Sequence, residues 1–155
     1  MKNYKTIKYL NTYDECKIHR DRFLFACDKI KGFFPLNIKN YNNISDEDVS
    51  FFDQFIYRFT KLQDSMGRKL FPYLLELIGE ESKEIPFIDI VNRFEKLEIL
   101  ESNFWFEMRR LRNILSHEYS KIQEENISAL NLIFENKEKF LLILVNIHKF
   151  SLKYL

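Results

Sequence analysis

One long segment of this chain carries apolar residues at steps of three or four positions. This spacing places them on one face of an α-helix, whereas a half-buried strand would alternate. No segment shows strand alternation, and 155 residues include only 3 Gly and 3 Pro, so few turns are available. The sequence therefore predicts an all-α protein made of few, long helices. The repeating apolar positions are Phe52, Phe55, Phe59, Leu62, Met66, Leu70, Leu74 and Leu77.

The same reasoning along the chain predicts four long helices and one short one, in a single domain covering residues 1–155. The predicted helices span Thr6 to Lys31, Ser45 to Gly79, Pro86 to Leu97, Ser102 to Glu118, and Asn126 to the last residue. Pro72 should kink or divide the second of them. The segment from Asn37 to Asn43 is predicted as a polar, Asn-rich connection. The expected architecture is a helical bundle.

The charge balance limits how this chain could engage nucleic acid or a membrane. The formal net charge of +1 argues against coating nucleic acid by bulk charge, but it leaves room for a local basic cleft. The longest apolar run, Phe140 to Val145, is far shorter than the roughly 20 residues that span a bilayer. Met1 to Lys17 contains no signal-peptide core. We therefore expect no membrane association.

The two cysteines cannot pair if the first predicted helix is continuous. Cys16 and Cys27 are eleven positions apart, which separates their Cα atoms by about 16 Å on a helix. A disulfide requires less than about 7 Å. Two free thiols indicate a reducing compartment, so we expect a cytoplasmic protein.

The segment from Arg112 to Tyr119 brings four chemically distinct polar side chains into about two helical turns. At about 100° per residue, Arg112 and Tyr119 share one azimuth, and Asn113 and His117 share the neighbouring one. A guanidinium suits a phosphate, and an imidazole suits proton transfer near neutral pH. Together they can hold or cleave a phosphodiester without a metal. The alternative is a solvated helix face with a few satisfied polar contacts.

The pattern R-N-x-x-x-H-x-Y, near the end of the penultimate predicted helix, resembles the signature of the HEPN superfamily. It is most similar to that of HepT-like toxins, which are paired with minimal nucleotidyltransferases. The family's arginine, polar residue and histidine correspond here to Arg112, Asn113 and His117. The HepT branch adds a tyrosine two positions after the histidine, which is Tyr119. Two stretches of the second predicted helix, Arg58 to Asp64 and Lys69 to Phe71, also resemble these relatives.

The resemblance implies an HEPN-like helical bundle that acts as a metal-independent endoribonuclease toxin on tRNA or mRNA. Such proteins are typically homodimers, in which the two motifs face each other across one composite cleft. The implied reaction is attack of a ribose 2′-oxygen on its own phosphate, which leaves a 2′,3′-cyclic phosphate and a 5′-hydroxyl. The implied antitoxin is a cognate minimal nucleotidyltransferase of the MntA type. In these relatives, the tyrosine matching Tyr119 accepts AMP groups that silence the toxin.

Each motif residue also has a structural interpretation. Arg112 either binds the scissile phosphate or pairs with an acidic residue on a neighbouring helix. His117 is the expected general base and acid, although a histidine at a helix end is also favoured by the helix dipole. Asn113 orients His117, binds substrate, or is an exposed polar residue. Tyr119 is a modification site or RNA contact, or it packs on the end of the bundle.

Three residues outside the motif are further candidates for binding RNA or supporting the site. Arg109 lies near the azimuth of Asn113 and could extend a basic cleft. Arg58 and Asp64 belong to a polar stripe on the second predicted helix, opposite its apolar face. A solvated face is the structural interpretation of that stripe.

The sequence predicts no metal site and no cofactor. The pair Cys16-x-x-His19 has ligand spacing but lacks a second pair, and there is no Gly-rich phosphate loop. The alternative function is a non-enzymatic helical module that binds substrate for a nucleotidyltransferase or docks onto it. A purely structural helical oligomer is a third interpretation.

Overall fold

The computed structural model describes residues 3–116 and 124–155. In these ranges the chain contains no strand and forms eight α-helices. They are α1 (Tyr4–Ile30), α2 (Ile38–Asn42), α3 (Asp46–Ser65), α4 (Phe71–Leu77), α5 (Phe87–Lys96), α6 (Ser102–Ser116), α7 (Glu124–Glu135) and α8 (Lys137–Ser151). The all-α prediction is confirmed. The count of four long helices and one short helix was too low, for three local reasons.

The first reason is a short helix, α2, inside the connection that was predicted from its polar composition. Asn37 Oδ1 accepts a hydrogen bond from the Asn40 backbone N–H at 2.8 Å, and Asn40 Oδ1 accepts one from the Asn37 N–H at 2.7 Å. This reciprocal capping satisfies two backbone donors that a helix start otherwise leaves unpaired. The asparagines that suggested a loop therefore stabilise one turn of helix.

The second reason is Pro72, which divides the second predicted helix as expected. The division is a π-helical turn, Met66–Leu70, rather than a break. Pro72 has no N–H and its ring crowds the carbonyl four residues earlier, so the α-helical pattern cannot continue unchanged. The Phe71 N–H instead reaches back five residues to the Met66 carbonyl. The wider turn lets α3 and α4 follow one another without an intervening loop.

The third reason is Asn136, which separates α7 from α8 where one continuous helix was predicted. Its φ and ψ are −101° and 11°, and its Nδ2 donates to the Leu132 carbonyl at 2.8 Å. Asparagine side chains compete in this way with the helical backbone pattern. The predicted end of the fourth helix, Glu118, lies outside the described residues.

Aromatic side chains form much of the core between these helices. Phe23 of α1 stacks on Phe55 of α3 with ring centroids 5.0 Å apart, and Phe59 lies 5.0 Å from Phe140 of α8. All four rings are buried, and each contributes roughly 1.5–3 kcal/mol through removal from water. This core holds α3 rigidly, so side chains on its other faces have defined positions.

The two cysteines on α1 are free and buried. Burial raises the pKa of each thiol to about 12. In the part of the chain that the structure describes, no helix is long and apolar enough to cross a membrane.

Two half-buried histidines predict a loss of stability at mildly acidic pH. Burial, and then the charge of Arg58, lower the pKa of His19 from its ordinary value of 6.5. Burial, and then Lys17, lower the pKa of His148, whose ring stacks on Tyr13 at 4.2 Å. Because the unfolded chain binds these protons more readily than the folded one, the free energy of unfolding should fall as the pH drops below about 7.

Denaturant unfolding at pH about 7.5 and about 5.5 measures this effect. The double substitution of His19→Gln and His148→Gln should make the free energy of unfolding depend less on pH between these two values. Glu76 and Glu80, whose pKa values are lowered from 4.5, lose their ion pairs only at lower pH. An unchanged slope in the double variant would show that other groups are responsible.

Candidate functional site

The guanidinium of Arg112 on α6 is held against α3. Its Nη2 donates to both carboxylate oxygens of Asp64, at 2.9 and 2.8 Å, and its Nη1 donates to Asn113 Oδ1 at 3.1 Å. The Arg112 side chain is 21% exposed, and that of Asp64 is 32% exposed. These contacts fix the plane of the guanidinium while one side of it still reaches solvent.

The contact with Asp64 corresponds to the structural interpretation of Arg112, which was an ion pair with an acidic residue on a neighbouring helix. A partly exposed pair of this kind contributes only about 0–1 kcal/mol to stability. A guanidinium has five N–H donors, so three hydrogen bonds do not exhaust it. The contacts with Asp64 and Asn113 therefore orient Arg112 without preventing it from binding an anion.

Arg112 and Asp64 lie in the wall of a cleft of about 400 Å³ between α3, the π-helical turn, α4, α5 and α6. Arg68 from the π-helical turn and Arg109 from α6 line the same cleft. Three arginines and one aspartate give the lining an excess of two positive charges. Ligand sites typically occupy about 300–1,000 Å³. A chain of formal net charge +1 thus has a local basic cleft.

Arg109 stands at the rim of this cleft, one turn before Arg112. Its guanidinium carbon lies 5.1 Å above the centre of the Phe87 ring, within cation–π distance. At this end of α6, the ion pairs found in the described ranges are Arg110 with Glu107 and Arg112 with Asp64. Within these ranges, the Arg109 guanidinium therefore contacts a ring face and no carboxylate.

The structure does not bring Arg58 to the cleft. Its Nη1 lies 3.0 Å from Nδ1 of His19 on α1. Six positions separate Arg58 from Asp64, which turns the two side chains toward different neighbours of α3. Arg58 therefore lies between α1 and α3, and Asp64 lies between α3 and α6.

The second half of the motif cannot be placed in the same way. His117 and Tyr119 lie outside the described residues. Asn113 is exposed, and its described side-chain contact is with Arg112. The structure thus assembles Arg112, Asn113, Asp64 and Arg109 at one end of α6.

Sequence reasoning missed the residues that shape the inside of the cleft. Gly67, Phe87 and Trp105 line it together with the buried amide of Gln63. The signal that could have found the site was Gly67, since a glycine inside a helical pattern often marks a close approach or a functional position.

Comparison with known families decides the classification of the chain. The family model described as "Ribonuclease HepT-like" matches residues 24–130. The chain belongs to the HepT-like ribonuclease family. No curated protein and no solved structure matches it significantly.

The part of the chain that matches the HepT-like model includes α3 to α6, and with them every residue that lines the basic cleft. It also includes the motif from Arg112 to Tyr119. The resemblance to HepT-like proteins is therefore confirmed at the level of the family, and that family is one of ribonucleases. In residues 3–116 and 124–155, no three His, Cys, Asp or Glu side chains cluster as a metal site would require.

Proposed function

We propose that this HepT-like protein is the toxin of a bacterial toxin–antitoxin pair and cleaves RNA without a metal. The observation that carries this proposal is the basic cleft in which Asp64 orients Arg112, five positions before His117 in the sequence. An oriented guanidinium at the mouth of a positively charged cleft is suited to a backbone phosphate. Family membership supports RNA as the source of that phosphate.

The proposed reaction is an intramolecular transesterification. His117 takes the proton from a ribose 2′-hydroxyl, and the 2′-oxygen forms a bond to the adjacent phosphorus. The bond from phosphorus to the 5′-oxygen breaks, and that oxygen receives a proton from an imidazolium. Arg112 stabilises the negative charge that develops on the phosphoryl oxygens. The products are a 2′,3′-cyclic phosphate and a 5′-hydroxyl.

Cleavage of RNA by the purified chain in excess EDTA tests this proposal. Because Arg112 supplies the positive charge and His117 transfers the proton, the rate should stay within about twofold of that without chelator. The products should carry a 2′,3′-cyclic phosphate, detected by mass spectrometry of a short oligonucleotide. Loss of cleavage in EDTA that magnesium restores would contradict the proposed chemistry.

We further propose that the active form is a homodimer with α6 near the two-fold axis. Pairing two chains would double the arginines available to one RNA. Light scattering at micromolar concentration should give about twice the chain mass of 19.0 kDa. A mass equal to one chain would refute the dimer.

The second candidate is a non-enzymatic docking partner of a nucleotidyltransferase. The Arg112–Asp64 pair favours it, because an arginine already engaged with a carboxylate can serve a purely structural role. Expression of the chain alone separates the two candidates. Growth arrest with RNA fragmentation supports the toxin, whereas normal growth with intact RNA supports the docking module.

A further inference from the structure

We propose that the cleft beside Arg112 is a nucleotide subsite, with an unpaired base against Phe87 and its phosphate at Arg68 and Arg109. The inference rests on the proposed function in one respect, which is that the bound nucleotide is part of an RNA chain. A free nucleotide has the same base, ribose and phosphate, so the test below separates the two sources. Three features of the cleft carry the inference.

The first feature is the wall formed by the π-helical turn. A Cβ atom on Gly67 would come within 3.3 Å of the Trp105 ring and 3.4 Å of the Phe87 ring. The glycine therefore lets the turn approach two aromatic side chains closely, where any other residue would press on them. Single π-helical turns inside α-helices often occur at functional sites. Here the turn places Gly67 in the wall and Arg68 at the rim of one cleft.

The second feature is a group of unsatisfied donors in the lining, which also includes the Nε of Arg112. Gln63 Nε2 and Trp105 Nε1 are buried and have no hydrogen-bond partner in the described structure. Their residues are only 4% and 1% exposed. Buried N–H groups without partners are unusual in native proteins and indicate a missing acceptor. The carbonyl oxygens and ring nitrogens of a nucleobase are acceptors of the required kind.

The third feature is the distribution of charge around the aromatic floor. Phe87 is partly exposed and offers a ring surface of the type on which bases stack. The buried ring of Trp105 lies beside it, with the two ring centroids 6.5 Å apart. Arg109 sits above Phe87, and Arg68, on the π-helical turn, lines the same cleft. An aromatic floor with guanidinium groups at the rim matches a ligand with a planar base and an anionic phosphate. Inorganic phosphate alone would leave the floor and its donors unused.

Fluorescence of Trp105 provides a direct measurement, because it is the single tryptophan of the chain. Titration with each nucleoside 5′-monophosphate, excited at the red edge of the tryptophan band, should give saturable quenching by at least one of them. Inorganic phosphate and ribose 5-phosphate should give none. Gly67→Ala and Arg109→Ala should each weaken binding by about tenfold, since one narrows the cleft and the other removes a charged donor.

Arg110→Ala is the matched control for Arg109→Ala. Arg110 lies on the same helix, is exposed, and pairs with Glu107 away from the cleft. Its substitution should leave the dissociation constant unchanged. If Gly67→Ala fails to fold, the exposed Arg109 still tests the subsite. Absence of saturable quenching by every nucleotide, or equal binding by wild type and Arg109→Ala, overturns the inference.

An RNA oligonucleotide with 2′-O-methyl riboses identifies the source of the nucleotide, since it binds without being cleaved. Competition between this RNA and the mononucleotide supports an RNA subsite, and binding of the mononucleotide alone supports a free nucleotide. If the protein binds nucleotides but never cleaves RNA, the proposed ribonuclease activity is wrong and the subsite stands. If it cleaves RNA but binds no nucleotide, the ribonuclease activity stands and the subsite is wrong.

Discussion

His117→Ala should lower the rate of RNA cleavage by about 10²- to 10⁴-fold and abolish growth arrest. The imidazole is the group in the motif that can both accept the 2′-hydroxyl proton and donate one to the leaving 5′-oxygen near neutral pH. Alanine removes both steps while leaving Arg112 and the cleft in place. The measurement is the initial rate on a short RNA with purified protein, together with growth after induction.

His148→Gln is the matched control for this substitution. His148 lies on α8, where its ring stacks on Tyr13, so its loss should affect stability at acidic pH but not the rate constant at pH about 7.5. Circular dichroism of both variants verifies that the helices remain. Undiminished toxicity of a folded His117→Ala protein would end the ribonuclease interpretation of the motif.

The Arg112–Asp64 pair gives a second measure of the same site. Arg112→Ala should reduce cleavage as severely as His117→Ala if the guanidinium stabilises the phosphoryl charge. Asp64→Asn retains the shape of the side chain but loosens the guanidinium, so its effect should be smaller. Arg110→Ala should leave the rate unchanged. If Arg112→Ala lowers stability but not the rate, the arginine is structural.

The fold was predictable from the sequence where apolar residues recur at regular helical spacing. The apolar face from Phe52 to Leu74 is buried as expected, and Pro72 does interrupt the helix. What sequence reasoning missed depended on single hydrogen bonds. Asn37 and Asn136 both bond to nearby backbone, and one starts a helix while the other ends one. Composition does not distinguish these outcomes, since both are local competitions with the helical backbone pattern.

The candidate site was predictable in part. Arg112 and Asp64 could be named from spacing and resemblance, but their contact joins residues 48 positions apart, and only the packing of α3 against α6 creates it. Packing of α3 against α1 puts Arg58 beside His19 instead of at the cleft. The shape of the cleft depends on Gly67, because a side chain at this position would press on Phe87 and Trp105. Periodicity treats such a position as one more residue of a helix.

If a cognate nucleotidyltransferase neutralises this protein by AMPylation of Tyr119 alone, Tyr119→Phe should remain toxic in cells that also express that enzyme. Tyr119 follows Arg112 by seven positions in the sequence, which is two turns if the helix continues, so we expect each added AMP to bring a phosphodiester close to an arginine of the cleft. That negative charge should occupy the guanidinium and exclude RNA phosphate. Co-expression should raise the intact mass of the wild-type chain by one or more AMP units and leave that of Tyr119→Phe unchanged.

The nucleotide subsite sharpens this expectation. An AMP group attached to Tyr119 carries the same base, ribose and phosphate that we propose for the cleft, so it would compete with RNA from within the chain. AMPylated protein should then show quenched Trp105 fluorescence and bind added nucleotide more weakly. The control variant is Tyr57→Phe, which changes an exposed tyrosine on α3. It should be modified and silenced as the wild type is. If Tyr119→Phe is still neutralised while the wild-type mass never changes, the antitoxin acts by binding. In that case the tyrosine belongs to an interface, and modification has no part in control.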